Sequence, residues 1–196
     1  MCKKRILLAV ATSLAMAGPA RAQNRVQARI ENNAAIAACD AAAANPLSDD
    51  LPADVTGLRL WEIEPKVAVP ACEAAAKLAP NDARIAYQLG RAYAAAKSFA
   101  LALAEFTRAD ERGYPLAAYN LAWMYSDARG VARDFVRARE WSERAAARGH
   151  ALSMVVVERA YDYGCGAAQD EAEARRWYEK ARASSNALPR RSRSSI

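Results

Sequence analysis

Apolar positions recur at helical spacing through most of this chain. Between Leu116 and Asp127, Leu121, Met124 and Tyr125 fall on one face of a helix. Between Asp134 and Arg148, Phe135, Ala138, Trp141 and Ala145 do the same. Gly130 breaks the chain between the two, and Asp134 stands where a carboxylate caps the exposed amides of a helix start. The pattern predicts a helix pair joined by a short turn.

The pair repeats. Tyr125, Gly130, Asp134, Ala138, Trp141 and Ala145 recur 36 positions later as Tyr161, Gly166, Asp170, Ala174, Trp177 and Ala181. Ala102 and Ala109 lie 36 before Ala138 and Ala145, behind a turn four residues shorter. Ala68, Cys72 and Ala75 lie 34 before Ala102, Phe106 and Ala109. The chain therefore holds a partial unit, a shorter unit and two longer ones. A single pair cannot bury its apolar stripe alone, so the pairs must stack. The expected fold is all-α, an α-solenoid of antiparallel helix pairs. Alanine at the repeated positions lets two backbones approach, while Trp and Tyr fill the wider gaps.

The region before the repeats is less regular. Residues 25–44 are helical by composition, and residues 45–56 (NPLSDDLPADVT) form a loop by their Pro, Asp and Ser content. Residues 57–64 (GLRLWEIE) are expected to be extended and anchored by Trp61. Pro70 is tolerable if it falls in the first turn of its helix, where no amide is needed. The helix carrying Cys39 is expected to replace the missing first helix of the partial unit.

Composition sharpens this picture. Fifty of the 196 residues are alanine, nearly half of the 53% counted as hydrophobic. Alanine favours helices and is a poor strand former, which argues against a β-sandwich or barrel. Residues 1–22 read as a secretory signal peptide: Lys3, Lys4 and Arg5, then an apolar run over 6–18, then Ala20-Arg21-Ala22 as a cleavage motif. The run is too short to span a bilayer. Cleavage after Ala22 would leave a periplasmic or secreted protein with no membrane span. The expected organisation is a signal peptide (1–22), an N-terminal helix and irregular loop (23–65), a repeat domain (66–183) and a disordered basic tail (184–196).

Export changes two further readings. The formal charge of +6 falls to +2 once Lys3, Lys4, Arg5 and Arg21 leave, and to −1 without Arg190, Arg191 and Arg193 of the tail. No basic face remains to suggest a nucleic-acid partner. Cys39, Cys72 and Cys165 remain in an oxidising compartment. Cys39 (AACDAAA) and Cys72 (PACEAAA) share similar surroundings on alanine-rich helices, and they are the expected disulfide.

The repeated residues also carry a family resemblance. Residues 119–153 (YNLAWMYSDARGVARDFVRAREWSERAAARGHALS) resemble a Sel1-like repeat, a relative of the tetratricopeptide repeat. Residues 87–110, with Leu89-Gly90, Tyr93, Ala102, Phe106 and Ala109, resemble a tetratricopeptide unit. The resemblance implies an α-solenoid that binds proteins or peptides without catalysis. Three departures stand out: Ala128 replaces the first turn glycine, Val157-Glu158 replaces the Leu-Gly pair of the last repeat, and Gly166-Ala167 ends its turn without Val. Glu158 at a close-packing position is expected to loosen the last pair unless it reaches solvent.

Candidate chemistry is sparse. His150 is the only imidazole and reads as a solvated turn residue, with neither nucleophile nor orienting carboxylate implied beside it. Too few Cys and His remain for a zinc site, and no cofactor motif is present. Gly164-Cys165-Gly166 lacks the strand and lysine of a phosphate loop. Asp49-Asp50 has nothing to complete a cation site. What remains is a surface. In such solenoids the first helix of each pair lines the concave face, which places Arg84, Tyr87 and Arg91 there in one unit. Leu116, Tyr119, Trp123 and Asp127 follow in the next, then Arg159 and Asp162. Aromatic residues beside arginine suit a peptide-binding face. The other reading, an envelope enzyme or inhibitor such as a β-lactam-binding relative, is weakened because those relatives carry paired cysteines in every repeat. The partner and the oligomeric state are not legible in the sequence.

Overall fold

The eight alanines repeated along the chain, Ala68, Ala75, Ala102, Ala109, Ala138, Ala145, Ala174 and Ala181, are all buried. They sit on the second helix of each of four successive pairs. A computed structural model describes residues 17–187, and among these the chain is helical with no strand. The pairs are α1 (Ala17–Ala43) with α2 (Pro65–Leu78), α3 (Ala83–Ala95) with α4 (Phe99–Glu111), α5 (Ala117–Ser126) with α6 (Phe135–Ala147), and α7 (Ala151–Tyr163) with α8 (Glu171–Ala187). Each helix packs on its sequence neighbour, and α1 also packs on α3. The all-α solenoid is thus the observed fold, and α1 takes the place of the missing first helix.

The turns repeat as backbone geometry. Asp134 accepts the Arg137 amide at 3.0 Å, and Asp170 accepts the Glu173 amide at the same distance, so both cap their helices. Gly130 and Gly166 have φ of 74° and 82°. A Cβ on Gly130 would come within 2.6 Å of the Phe99 side chain, and one on Gly166 within 2.1 Å of the Phe135 carbonyl oxygen. Each turn therefore rests on the first turn of the preceding pair's second helix, too closely for any side chain. Two residues earlier, Ala128 and Gly164 occupy the same left-handed region at φ 56° and 69°. Alanine is strained there and glycine is not. Ala128→Gly is expected to raise stability by about 0.5–1 kcal/mol, read as a higher denaturation midpoint at unchanged slope.

The core runs continuously but thins along the stack. Cys39, Ile63, Cys72, Ile85 and Leu89 pack together at the start. Tyr87, Phe106, Tyr114, Leu121 and Met124 form the middle. At the end only Ala146, Met154 and Ala181 form a buried cluster, with Val155 and Trp177 packed against it. Glu158 explains part of the thinning. Its counterpart in the first full unit is Gly90, whose absent Cβ would lie 2.6 Å from the Phe106 ring. That ring lies over the glycine and is 1% exposed. Opposite Glu158 the equivalent ring, Tyr178, is 57% exposed. The expected loosening takes this form.

Several sequence expectations are corrected. Trp61 does not anchor the segment before α2. It is 77% exposed with Arg59 over its ring, and the buried residue is Ile63. A 3-10 turn, Leu60–Glu62, replaces the extended run. Pro70 lies inside α2 rather than in its first turn, because the helix already starts at Pro65. Its exposed position leaves the freed carbonyl to solvent. Helix α8 continues to Ala187, past the tail boundary at 184, and residues 188–196 lie outside the described residues. Of the expected signal peptide, residues 1–16 also lie outside them, while 17–22 begin α1. Cys39 and Cys72 form a disulfide joining α1 to α2. No described helix is long and apolar enough to cross a membrane.

Candidate functional site

The residues considered for partner binding lie on the first helices α3, α5 and α7 or, for Leu116 and Asp127, at the caps of α5. On α3 the candidates are not open. The last turn of α1 leaves carbonyls with no helical partner, and Arg91 supplies their donors. Its guanidinium donates to the Ala43 carbonyl at 2.7 Å and also to that of Leu58. Arg84 pairs with Asp40, which also accepts from the Gln88 side-chain amide at 2.8 Å. Asp40 is 2% exposed and Arg91 4%.

A closed loop extends this cover. The Leu58 amide donates to the Ala44 carbonyl at 2.8 Å, so the ends of the 45–57 segment meet, as in an Ω-loop. Gly57 makes this possible, since a Cβ there would lie 2.6 Å from the Pro46 nitrogen. The loop lies against α3 and the α4–α5 turn. The Asn45 side-chain amide donates to the Tyr87 hydroxyl at 2.6 Å, and Asn120 of α5 donates to the same oxygen at 2.9 Å. Tyr114 bonds Ser48 and donates to Asp50, both at 3.0 Å, and its ring lies 4.5 Å from that of Tyr87. Burial pushes the Tyr87 phenol up and the Arg91 guanidinium down from their ordinary pKa values. Arg84, Tyr87 and Arg91, expected on an open face, are instead covered by the chain's own α1 end and loop. The physical reason is that α1 needs donors for its end carbonyls and Tyr87 seals the joint to the next pair.

Beyond α3 the cover ends. Trp123 on α5 is half-buried against the middle core, with the Arg129 guanidinium 5.3 Å from its ring centre and 5.5 Å from that of Phe99. This stacking holds the indole against the turn and leaves part of it in solvent. Asp127 is exposed at the end of α5, where Ser126 donates to it at 3.3 Å. Tyr119 is half-buried with its ring 4.7 Å from that of His150. Leu116 is buried and Asp162 half-buried. On α7, Leu152 and Val156 are 52% and 41% exposed. Neither is among the residues expected on this face, although they lie 36 positions after Leu116 and Asn120. Arg159 is exposed and borders a cleft of about 320 Å³ with Val155, Glu158, Tyr163 and Tyr178 at the last pair.

His150 is not the solvated residue the sequence suggested. It caps α7, its Nδ1 lies 2.8 Å from the Ser153 hydroxyl, and its ring packs on Tyr119. Burial holds its pKa below the ordinary imidazole value of 6.5. A depressed pKa stabilises the fold above the unfolded value, and that stability is lost as pH falls through the folded one. Glu105 runs the other way, since burial raises its carboxyl and favours folding in acid. Subtracting the pH profile of His150→Asn from that of the native protein isolates the first effect. The difference should shrink as pH falls from about 7.5 to 5. A difference that is flat or grows toward acid contradicts a buried neutral ring.

Among the described residues no group of three His, Cys, Asp or Glu is placed to hold a metal ion. Cys165 is free and exposed.

The repeat geometry has counterparts in known proteins. The Sel1 repeat family profile matches residues 115–150 and 158–186, that is, α5 with α6 and the last turns of α7 with nearly all of α8. A Sel1 repeat protein from Oxalobacter formigenes, known from its crystal structure, is 33% identical with a TM-score of 0.50. The match covers 57% of this chain and 86% of that one. The protein c5321, a protective antigen of uropathogenic Escherichia coli strains displaying an SLR fold, is 23% identical at a TM-score of 0.50. That match spans 64% of this chain but only 30% of the antigen, and it speaks to the fold alone. No curated protein matches in sequence. With the family profile matching two stretches of the repeat region and 86% of a 33% identical Sel1 repeat protein covered, the chain belongs to the Sel1 repeat family.

Proposed function

We propose that this protein is an exported, non-catalytic scaffold that binds a protein or peptide partner through the uncovered part of its first-helix face. The helical repeat fold itself points to protein binding. The observation that carries the finer reading is the contrast between Arg91 and Trp123, which hold equivalent positions on α3 and α5. The first is 4% exposed beneath the α1 end and the loop, while the second is only partly buried, packed on the middle core and braced by Arg129. A braced aromatic ring loses little entropy on being covered, which is what interface anchors need. Tyr119 beside it, Leu152 and Val156 on α7, and Asp127 at the rim complete the surface. The disulfide and the lack of a membrane-crossing helix among the described residues are compatible with secretion.

Crosslinking in the periplasm of a producing cell, with native protein and Trp123→Ala compared, tests this. The variant is expected to lose at least about tenfold of its principal crosslinked partner, since interface anchors contribute more than 1.4 kcal/mol. Identical partner profiles would remove this face from the proposal.

A further inference from the structure

The two ends of the solenoid are closed differently. At the first end, α1, the loop and the disulfide cover α3. At the last end, nothing among the described residues covers the outer side of α7 and α8.

Equivalent positions show the contrast. Tyr87 and Phe106 are 0% and 1% exposed beneath the α5 pair, and Ser142 is 0% exposed beneath the α7 pair. Their counterparts in the last pair, Val155 and Tyr178, line the open cleft with Tyr163, and the two tyrosines are 57% (Tyr178) and 71% (Tyr163) exposed. A terminal repeat normally presents a polar outer face to stay soluble. This one presents two tyrosines, over a valine that packs on the last core cluster, around Glu158 and Arg159, neither of which has an ion-pair partner among the described residues.

We propose that this end face is closed by the same face of a second copy, related by a two-fold axis. Two adjacent opposite charges make a face self-complementary. A two-fold rotation sets Glu158 against Arg159 of the second copy, and Arg159 against Glu158 of the second copy, in one step. The mixed sign does not select a strongly acidic or basic ligand. The apolar residues around the charges meet another helix pair, as their counterparts do at each earlier step of the stack. The result is four helices packed around a shared core. The stripe of α7 that carries Arg159 and Tyr163 also carries Leu152 and Val156, so this end face adjoins the surface proposed for the partner, and dimerisation is read without any partner present.

Sedimentation equilibrium of the purified protein tests it. Native protein is expected to dimerise with a Kd of about 10 µM or tighter. Arg159→Glu sets like charges against each other across the axis and should weaken dimerisation at least about tenfold. The double exchange Glu158→Arg, Arg159→Glu restores the pairing and should recover the dimer. Loss of association through unfolding would not be repaired by adding a second substitution. A native protein still monomeric at about 1 mM, an Arg159→Glu variant that dimerises unchanged, or a double exchange that fails to recover would overturn the proposal.

Discussion

Replacing both Arg144 and Arg148 by alanine should cost about 3–5 kcal/mol, the range for an uncompensated buried charge. Both arginines reach from α6 to Asp110 in the last turn of α4. Arg144 lies 2.7 Å from one carboxylate oxygen and Arg148 pairs with the other, while Arg148 also donates to the Asp110 carbonyl at 3.2 Å. Asp110 is 1% exposed, whereas the arginine side chains are 50% and 25% exposed. The geometry is therefore asymmetric. Without the arginines, a carboxylate is stranded in the joint between two pairs. Without Asp110, the arginines can turn toward water. Asp110→Ala should thus cost clearly less, about 1–3 kcal/mol. Denaturant midpoints of the two variants decide the matter. Equal losses would mean that pairing, not desolvation, dominates. This lock is not legible in the sequence, because Asp110 stands at a position where the next unit has Ala146.

The second large effect concerns the disulfide. Replacing Cys39 and Cys72 by alanine should cost about 4 kcal/mol in the chain-entropy account of a loop this long. The loss should be local. In a solenoid each pair contacts only its neighbours, so one end can open while the rest stays folded. The α1 end and the 45–57 loop are held by the bridge, by Arg91 and by Asn45. Without the bridge, amide exchange should rise first in α1, the loop and α3, and leave α5 to α8 unchanged. Uniform acceleration along the chain would mean that the protein opens as one unit. An intact mass that does not change on reduction of the native protein would mean that the bridge is absent.

Much of the fold was legible because it is periodic. A local backbone requirement recurring every 36 residues imprints the same residue types each time. The buried alanines, the capping Asp134 and Asp170, and the turn glycines Gly130 and Gly166 are such imprints. Departures were legible too. Ala128 takes the left-handed conformation its missing glycine implied, and Glu158 leaves Tyr178 outside. The face was less legible. Arg84, Tyr87 and Arg91 have the composition of a binding surface, yet they hold α1 and the loop in place. Leu152 and Val156 are ordinary helix residues that are exposed because of where α7 sits.

The sequence by itself determined the helix pairs, their stacking and the close-packing positions, since these follow from short-range periodicity and side-chain size. Only the tertiary structure decided which parts of the first-helix face are covered, that one end is capped and the other uncovered among the described residues, and that Asp110 locks two pairs together. Those depend on contacts between residues 33 to 66 positions apart, such as Ser48 with Tyr114 and Leu58 with Arg91. No local pattern encodes such a meeting, because the same arginine or tyrosine serves equally well in solvent, against a partner or against its own chain.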